Sequence, residues 1–180
     1  MTVRLARATV GVIGSGTDEH DEHARPVGEA LAELGVNLLT GGGPGVMRAV
    51  SRAFTRSSHP RGICIGIIPC ASQSDRATPK PGYPNEFVEL AIHTHLPYSG
   101  EQGTDDLSRN HINVLSCAAI VALRGEAGTL SEISLAVRYG KPMVAYSPSS
   151  GCAGEIPGSV RRVDSVDALK AFLRSHIDTA

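Results

Sequence analysis

Short apolar runs of strand length alternate along the chain with stretches of helical period, and this alternation limits the possible folds more than any other feature. The first run is Thr9–Gly14, and Val36–Thr40 and Ile63–Ile68 follow, each separated from the next by a stretch of helical pattern. This order is typical of βαβ units, in which parallel strands share one sheet and helices cover both of its faces. We therefore predict an α/β fold with a doubly wound, mainly parallel sheet.

The rest of the chain continues the pattern. Further strands are predicted at Phe87–Thr94, Ala119–Leu123, Pro142–Tyr146 and near Val160–Val163. Helices are predicted from about Asp18 to Leu34, at Val46–Arg56, Asp105–Ala118 and Leu130–Tyr139, and from Asp164 to about Ile177. Two loops rich in Pro and Gly, Pro69–Pro84 and Pro97–Thr104, interrupt the pattern. We expect one Rossmann-like, nucleotide-binding domain with three α/β/α layers over residues 1–180, and no second domain.

Charge and composition narrow the function classes. The 17 basic and 18 acidic residues are spread evenly, which gives no basic face for a nucleic-acid partner. The longest apolar stretches, such as Val114–Leu123, are far shorter than the roughly 20 residues of a membrane span. We expect a cytoplasmic protein without a signal peptide or membrane association.

No metal site is expected, because His93 and His95 have no nearby third ligand. Four scattered cysteines are predicted to be free thiols: Cys64, Cys70, Cys117 and Cys152.

Three glycine-containing turns follow predicted strands: Gly14-Ser15-Gly16, Gly41–Gly45 and Gly125–Thr129. Ligands of open parallel sheets bind at the carboxyl ends of the strands, where helix N-termini present free N–H groups to anions. Three such turns at one edge therefore predict a phosphate-binding rim. No Walker-type lysine follows these turns and no G-x-G-x-x-G opens the first helix, which disfavours P-loop hydrolysis and standard NAD binding.

Four ordered motifs resemble the Lonely Guy superfamily. They are Gly-Gly-Gly-Pro-Gly-Val-Met at residues 41–47, Arg-Asn-His-Ile-Asn at 109–113, Gly-Glu-Ala-Gly-Thr-Leu-Ser-Glu at 125–132, and Gly-Lys-Pro at 140–142. This superfamily holds cytokinin-activating phosphoribohydrolases, molybdenum-cofactor carrier proteins and many chains mislabelled as lysine decarboxylases. A decarboxylase needs a Schiff-base lysine in a pocket, and no lysine of this chain lies at a glycine turn. The decarboxylase activity is therefore rejected.

The two branches of the superfamily match this chain differently. Hydrolases carry an Arg and, 15 positions later, the Pro of a Pro-Gly-Gly-x-Gly-Thr-x-x-Glu motif, so Arg109 and Glu132 match their catalytic pair. Arg124 replaces that Pro and Asn110 replaces the hydrolase Lys. The pattern from Arg109 through Ile112 and Asn113 is closer to the carrier branch. Glu126 stands where both branches keep a Gly, and a carboxylate there repels phosphate unless it points away or Arg124 offsets it.

The resemblance favours a protein that binds a phosphorylated nucleotide or pterin-type cofactor at the carboxyl edge of the sheet, as molybdenum-cofactor carriers do. The alternative is a nucleoside 5′-monophosphate phosphoribohydrolase in which Glu132 stabilises the oxocarbenium-like sugar and Arg109 clamps the phosphate. A third possibility is a regulatory module that senses a nucleotide. A nucleotide monophosphate or molybdenum cofactor is the expected ligand, and a homodimer or homotetramer is implied. The expected ligand-binding residues are Gly14, Ser15, Gly16, Gly41, Gly42, Gly43, Gly45, Met47, Asn110, Asn113, Gly125, Gly128 and Thr129.

Overall fold

The computed structural model describes residues 7–59, 62–148 and 156–177. Within these ranges seven parallel strands form one sheet. The strands are β1 (Thr9–Ile13), β2 (Asn37–Thr40), β3 (Cys64–Ile68), β4 (Leu90–His93), β5 (Ala119–Ala122), β6 (Met143–Tyr146) and β7 (Arg161–Val163). Their order across the sheet is β4-β3-β2-β1-β5-β6-β7. The predicted α/β class with a parallel sheet is confirmed.

Helices cover both faces of the sheet. They are α1 (Asp21–Glu33), α2 (Val46–Arg56), α3 (Asn110–Leu115), α4 (Ala127–Arg138) and α5 (Val166–Ile177), with a short 3₁₀ turn at Gly100–Gln102. Side chains of a strand alternate between the faces. Val10 and Val12 of β1 accordingly pack in the core shared by α1, α2 and α5, whereas Ile13 packs in the core shared by α3 and α4. This alternation produces the predicted three layers.

Two helix predictions were wrong in their bounds. The helix predicted over Asp105–Ala118 is only the six-residue α3, because a turn precedes it in which the Ser108 N–H donates to the Asp105 carbonyl (2.8 Å). The Ser108 hydroxyl then accepts the N–H of Asn110 (3.2 Å), which opens the helix at that point. Helix α4 begins at Ala127, three residues before the predicted Leu130, so the third glycine turn is partly helical. The strand predicted at Phe87–Thr94 shortens to β4.

The order of the strands reverses at β1, which lies between β2 and β5. Gly11 pairs with Leu39 of β2 on one side and with Ile120 of β5 on the other. The loops that follow these three strands leave the sheet at the same edge. In open α/β sheets such a reversal opens a crevice at the carboxyl ends of the strands.

Three of the four cysteines lie in the described ranges. Cys64, Cys70 and Cys117 are buried thiols, as predicted, and Cys152 lies outside those ranges. None of the helices that the structure describes is both long and apolar enough to cross a membrane.

Candidate functional site

The three glycine turns contact one another at the carboxyl edge of the sheet. The Ser15 N–H donates to the Arg124 carbonyl (2.9 Å), and the Val46 N–H donates to the Ser15 carbonyl (2.9 Å). Gly45 has a φ of +66°, and a Cβ there would overlap the Ser15 carbonyl oxygen. A Cβ on Gly125 would lie 2.7 Å from the Ser15 nitrogen. Glycine is therefore required where the first turn is held between the other two.

A cavity of about 260 Å³ opens where these turns meet. Its floor includes Val12 and Ile13 at the end of β1, and its walls come from the glycine turns, α3, α4 and the two long loops. The cavity therefore lies at the predicted carboxyl edge, beside the strand-order reversal.

Arg109 places a cation in this cavity. Its side chain is only 5% exposed, its guanidinium lies over the Tyr83 ring with the central carbon 5.6 Å from the ring centroid, and its buried Nε has no hydrogen-bond partner. The guanidinium fits because a Cβ on Gly41 would lie only 2.6 Å from Nη1. Among the described residues no carboxylate forms an ion pair with Arg109. A buried cation without an ion-pair partner is costly, so the cavity is suited to an anion.

The first turn of α4 faces the same cavity. The Leu130 N–H is bonded to the Glu126 carbonyl (3.1 Å), which leaves the N–H groups of Ala127, Gly128 and Thr129 without helical acceptors. A Cβ on Gly128 would meet only Gly100, at 3.8 Å. The approach to these donors is open, and the helix dipole adds partial positive charge there.

Glu132 lines the cavity from the second turn of α4. The Asn113 side-chain amide donates a hydrogen bond to its Oε1 (2.8 Å), and the buried Asn113 Oδ1 has no partner. Burial raises the pKa of the Glu132 carboxyl, while the Asn113 hydrogen bond and the charge of Arg109 act in the opposite direction. The raised pKa makes Glu132 a candidate for proton transfer to or from a ligand.

Glu126, the departure from both family branches, also lines the cavity. The Ser15 hydroxyl donates to its Oε1 (2.7 Å) and accepts the N–H of Asp18 (3.0 Å). Arg124 is exposed and forms no ion pair with Glu126. The carboxylate is therefore held by Ser15 against the first turn and is not offset by its basic neighbour.

The two long loops form the outer walls. Asn85 donates from its backbone N–H to the Gly42 carbonyl (2.8 Å) and from its side chain to the Gly43 carbonyl (2.9 Å), which holds the Tyr83 ring against Gly43. The Ser131 hydroxyl donates to the Gly100 carbonyl (2.7 Å), which fixes the other loop to α4. Both loops thus present residues to the cavity.

The structure brings together most of the residues predicted for the site. Those that line the cavity are Gly14, Gly16, Gly41, Met47, Arg109, Asn110, Gly128, Thr129 and Glu132. Six others lie behind it as turn or packing residues: Ser15, Gly42, Gly43, Gly45, Asn113 and Gly125. Lining residues outside the predicted set are Val12, Ile13, Tyr83, Ser99, Gly100, Glu126 and Ala127. Within the described ranges no three His, Cys, Asp or Glu residues are grouped as metal ligands.

Comparisons with known proteins agree with this fold. The model of the SLOG cluster4 family matches residues 7–172. An uncharacterized protein of Archaeoglobus fulgidus is 30% identical over 141 residues, which are 77% of this chain and 80% of the relative. The molybdenum cofactor binding protein of Rippkaea orientalis superposes with a TM-score of 0.71 at 27% identity, over 96% of this chain and 98% of that one. The Moco carrier protein of Chlamydomonas reinhardtii gives 0.69 at 26% identity, over 97% and 99%.

Proposed function

The chain belongs to the SLOG cluster4 family, of the Lonely Guy type that its motifs predict, and from this premise we propose that its cavity binds a phosphorylated nucleotide or pterin-type cofactor. Similarity to molybdenum cofactor binding and carrier proteins supports cofactor binding in general. The finer proposal, a single phosphorylated ligand at the carboxyl edge of the sheet, depends on the residues of the cavity.

One observation carries the proposal: Arg109 is a buried cation that faces the cavity without an ion-pair partner among the described residues. A phosphate oxygen bonded to its guanidinium supplies the missing anion through a charge-assisted hydrogen bond. The free N–H groups of Gly128 and Thr129 are further donors for the same phosphate. The phosphate of the ligand is therefore proposed to lie between Arg109 and the first turn of α4.

The remaining wall suits a flat ring. The Tyr83 ring and the Met47 thioether both line the cavity and give it an apolar side next to Arg109. Aromatic and thioether groups pack well against planar heterocycles such as a base or a pterin.

We also propose a homodimer or homotetramer, because Leu115 and Val137 leave 50% and 64% of their surfaces exposed on the neighbouring helices α3 and α4.

Calorimetric titration tests the proposal with the molybdenum cofactor and a panel of nucleoside 5′-monophosphates. Arg109→Ala removes a hydrogen bond to a charged group, worth about 1.5 to 3 kcal/mol, and should weaken binding about tenfold or more. Arg138→Ala is the matched control, because Arg138 is an exposed arginine at the far end of α4 and does not line the cavity. Equal affinities of the two variants for every ligand would contradict the proposal.

Hydrolysis of an N-glycosidic bond is the second candidate function. The observation that favours it is that Glu132 and Arg109 face one cavity and that burial raises the pKa of Glu132. Such a carboxyl can orient the attacking water and stabilise positive charge on the sugar. Chromatography of free base after incubation with nucleoside monophosphates separates the two functions. Release that is lost in both Glu132→Ala and Arg109→Ala establishes the hydrolase, whereas no release leaves both as binding residues.

A further inference from the structure

We infer that Glu126 makes this cavity select ligands with a single phosphate and reject those that carry a second one. The inference rests on the proposed function, since it concerns the same cavity and the same Arg109. It assigns a specificity role to the one residue that departs from both branches of the superfamily.

Glu126 is exposed, and a hydrogen bond holds its carboxylate where it lines the cavity. The carboxylate belongs to the residue that immediately precedes α4, and the Ser15 hydroxyl donates to its Oε1 at 2.7 Å. Ser15 is itself fully buried and accepts the N–H of Asp18, so the hydroxyl cannot move without breaking the first turn. The negative charge is therefore held against the first glycine turn, beside the proposed site of the one phosphate, so a second phosphate would meet it.

The charges around the cavity leave room for one anionic group. Of the described residues that line it, Arg109 is the only basic one, and the α4 terminus adds about half a positive charge. The carboxylate of Glu126 offsets much of the positive charge of the α4 terminus. Glu132 is a second carboxyl on the cavity wall. A phosphate monoester carries about −1.5 to −2 near neutral pH, which Arg109 and the helix can accommodate on the side away from Glu126. A second phosphate in a cavity of about 260 Å³ would approach Glu126 and be repelled.

Glu126 also offers an acceptor to the ligand. Both of its hydrogen bonds, from Ser15 and a longer one from Thr17 (3.5 Å), reach Oε1, and Oε2 has no partner among the described residues. A free carboxylate oxygen on a cavity wall favours an O–H or N–H donor as its neighbour. The group of the ligand that meets Glu126 is thus a neutral donor, such as a sugar hydroxyl, while the phosphate stays with Arg109 and the N–H groups of Gly128 and Thr129.

Phosphate and pyrophosphate are suitable probes, because they carry the anionic groups without any base or ring. Their dissociation constants are measured by phosphorus NMR titration for wild type, Glu126→Gln, Arg109→Ala and a control, Glu101→Gln. Glutamine removes the charge of Glu126 but keeps an acceptor for Ser15. Glu101 is an exposed acid on the neighbouring loop and does not line the cavity. Thermal unfolding of each variant checks that the fold is kept.

We expect Glu126→Gln to strengthen pyrophosphate binding about tenfold and phosphate binding by less than about threefold, with no change in Glu101→Gln. An unchanged ratio of the two affinities in Glu126→Gln, with binding still lost in Arg109→Ala, overturns the inference and leaves the proposed function standing. If Arg109→Ala does not weaken the binding of either anion at millimolar concentrations, the phosphate site is absent. Both the inference about Glu126 and the proposed function then fail.

Discussion

Gly41→Ala tests whether glycine is needed at position 41 to leave room for the Arg109 guanidinium. A Cβ at Gly41 would lie 2.6 Å from Nη1 and 2.8 Å from Nη2 of Arg109, and 3.0 Å from the Met47 sulfur. Ordinary contact begins at about 3.4 Å, so the guanidinium has to retreat by about 0.8 Å. A hydrogen bond of normal length that is stretched by this amount is lost.

The expected effects on binding and on stability differ. Loss of one hydrogen bond to a charged group costs about 1.5 to 3 kcal/mol, which weakens phosphate-ligand binding about ten- to one-hundredfold. The atoms that must move are the ends of two flexible side chains, and a Gly→Ala change also reduces the entropy of the unfolded chain. The free energy of unfolding is therefore expected to change by less than about 1 kcal/mol.

A double-mutant cycle is the assay that isolates the mechanism. Calorimetry gives the dissociation constant of a phosphorylated ligand for wild type, Gly41→Ala, Arg109→Ala and the double variant, and urea unfolding gives their stabilities. Because Gly41 is expected to act only through Arg109, its substitution should have no further effect once Arg109 is gone. The reasoning is refuted if Gly41→Ala weakens binding equally in both backgrounds, or leaves the affinity of the wild-type background unchanged.

Two further predictions concern stability. Gly28→Ala should lower the free energy of unfolding by about 1 to 3 kcal/mol, because its Cβ would lie 2.6 Å from the Val50 carbonyl oxygen and force α1 away from α2. Urea unfolding compares this variant with Gly158→Ala, where a Cβ meets nothing within 4 Å. Equal free energies of unfolding for the two variants would contradict the prediction. Burial raises the pKa of Glu132 above its unfolded value, so the folded state binds more protons and wild type should lose stability as the pH rises above about 4.5 through the raised pKa. Urea unfolding at several pH values should show Glu132→Gln gaining stability relative to wild type over that window, and a constant difference would count against the raised pKa.

The sequence predicts those parts of the molecule that local pattern determines. Helix α2 has its predicted bounds, Val46–Arg56, because the glycine run ends β2 abruptly and an amphipathic stretch follows at once. The parallel sheet follows from the repeated order of strand and helix. The glycine turns were predicted at the cavity because parallel strands end at a common edge, which is a rule of topology and needs no side-chain detail.

Features that depend on tertiary contacts were missed. Tyr83 lies in an irregular loop with no periodicity, and it reaches the cavity only because Asn85 is bonded to the backbone of the glycine run. The predicted helix over Asp105–Ala118 was too long, because the turn at Ser108 leaves no signal in helical periodicity. The orientation of Glu126 depends on Ser15, which is 111 residues away in the chain.

The 111 residues that separate Ser15 from Glu126 in the chain have a consequence for the synthesis of the protein. Strand β5 lies beside β1 in the sheet but is synthesised long after β1 and β2, as is the third glycine turn. A nascent chain that ends before Ala119 has β1 as a bare sheet edge and lacks both Glu132 and the first turn of α4. Pairing across such a distance is slow, since the chain must close a long loop before the contact is formed. The cavity is therefore complete only once synthesis has passed α4, because its walls come from both the early and the late parts of the chain.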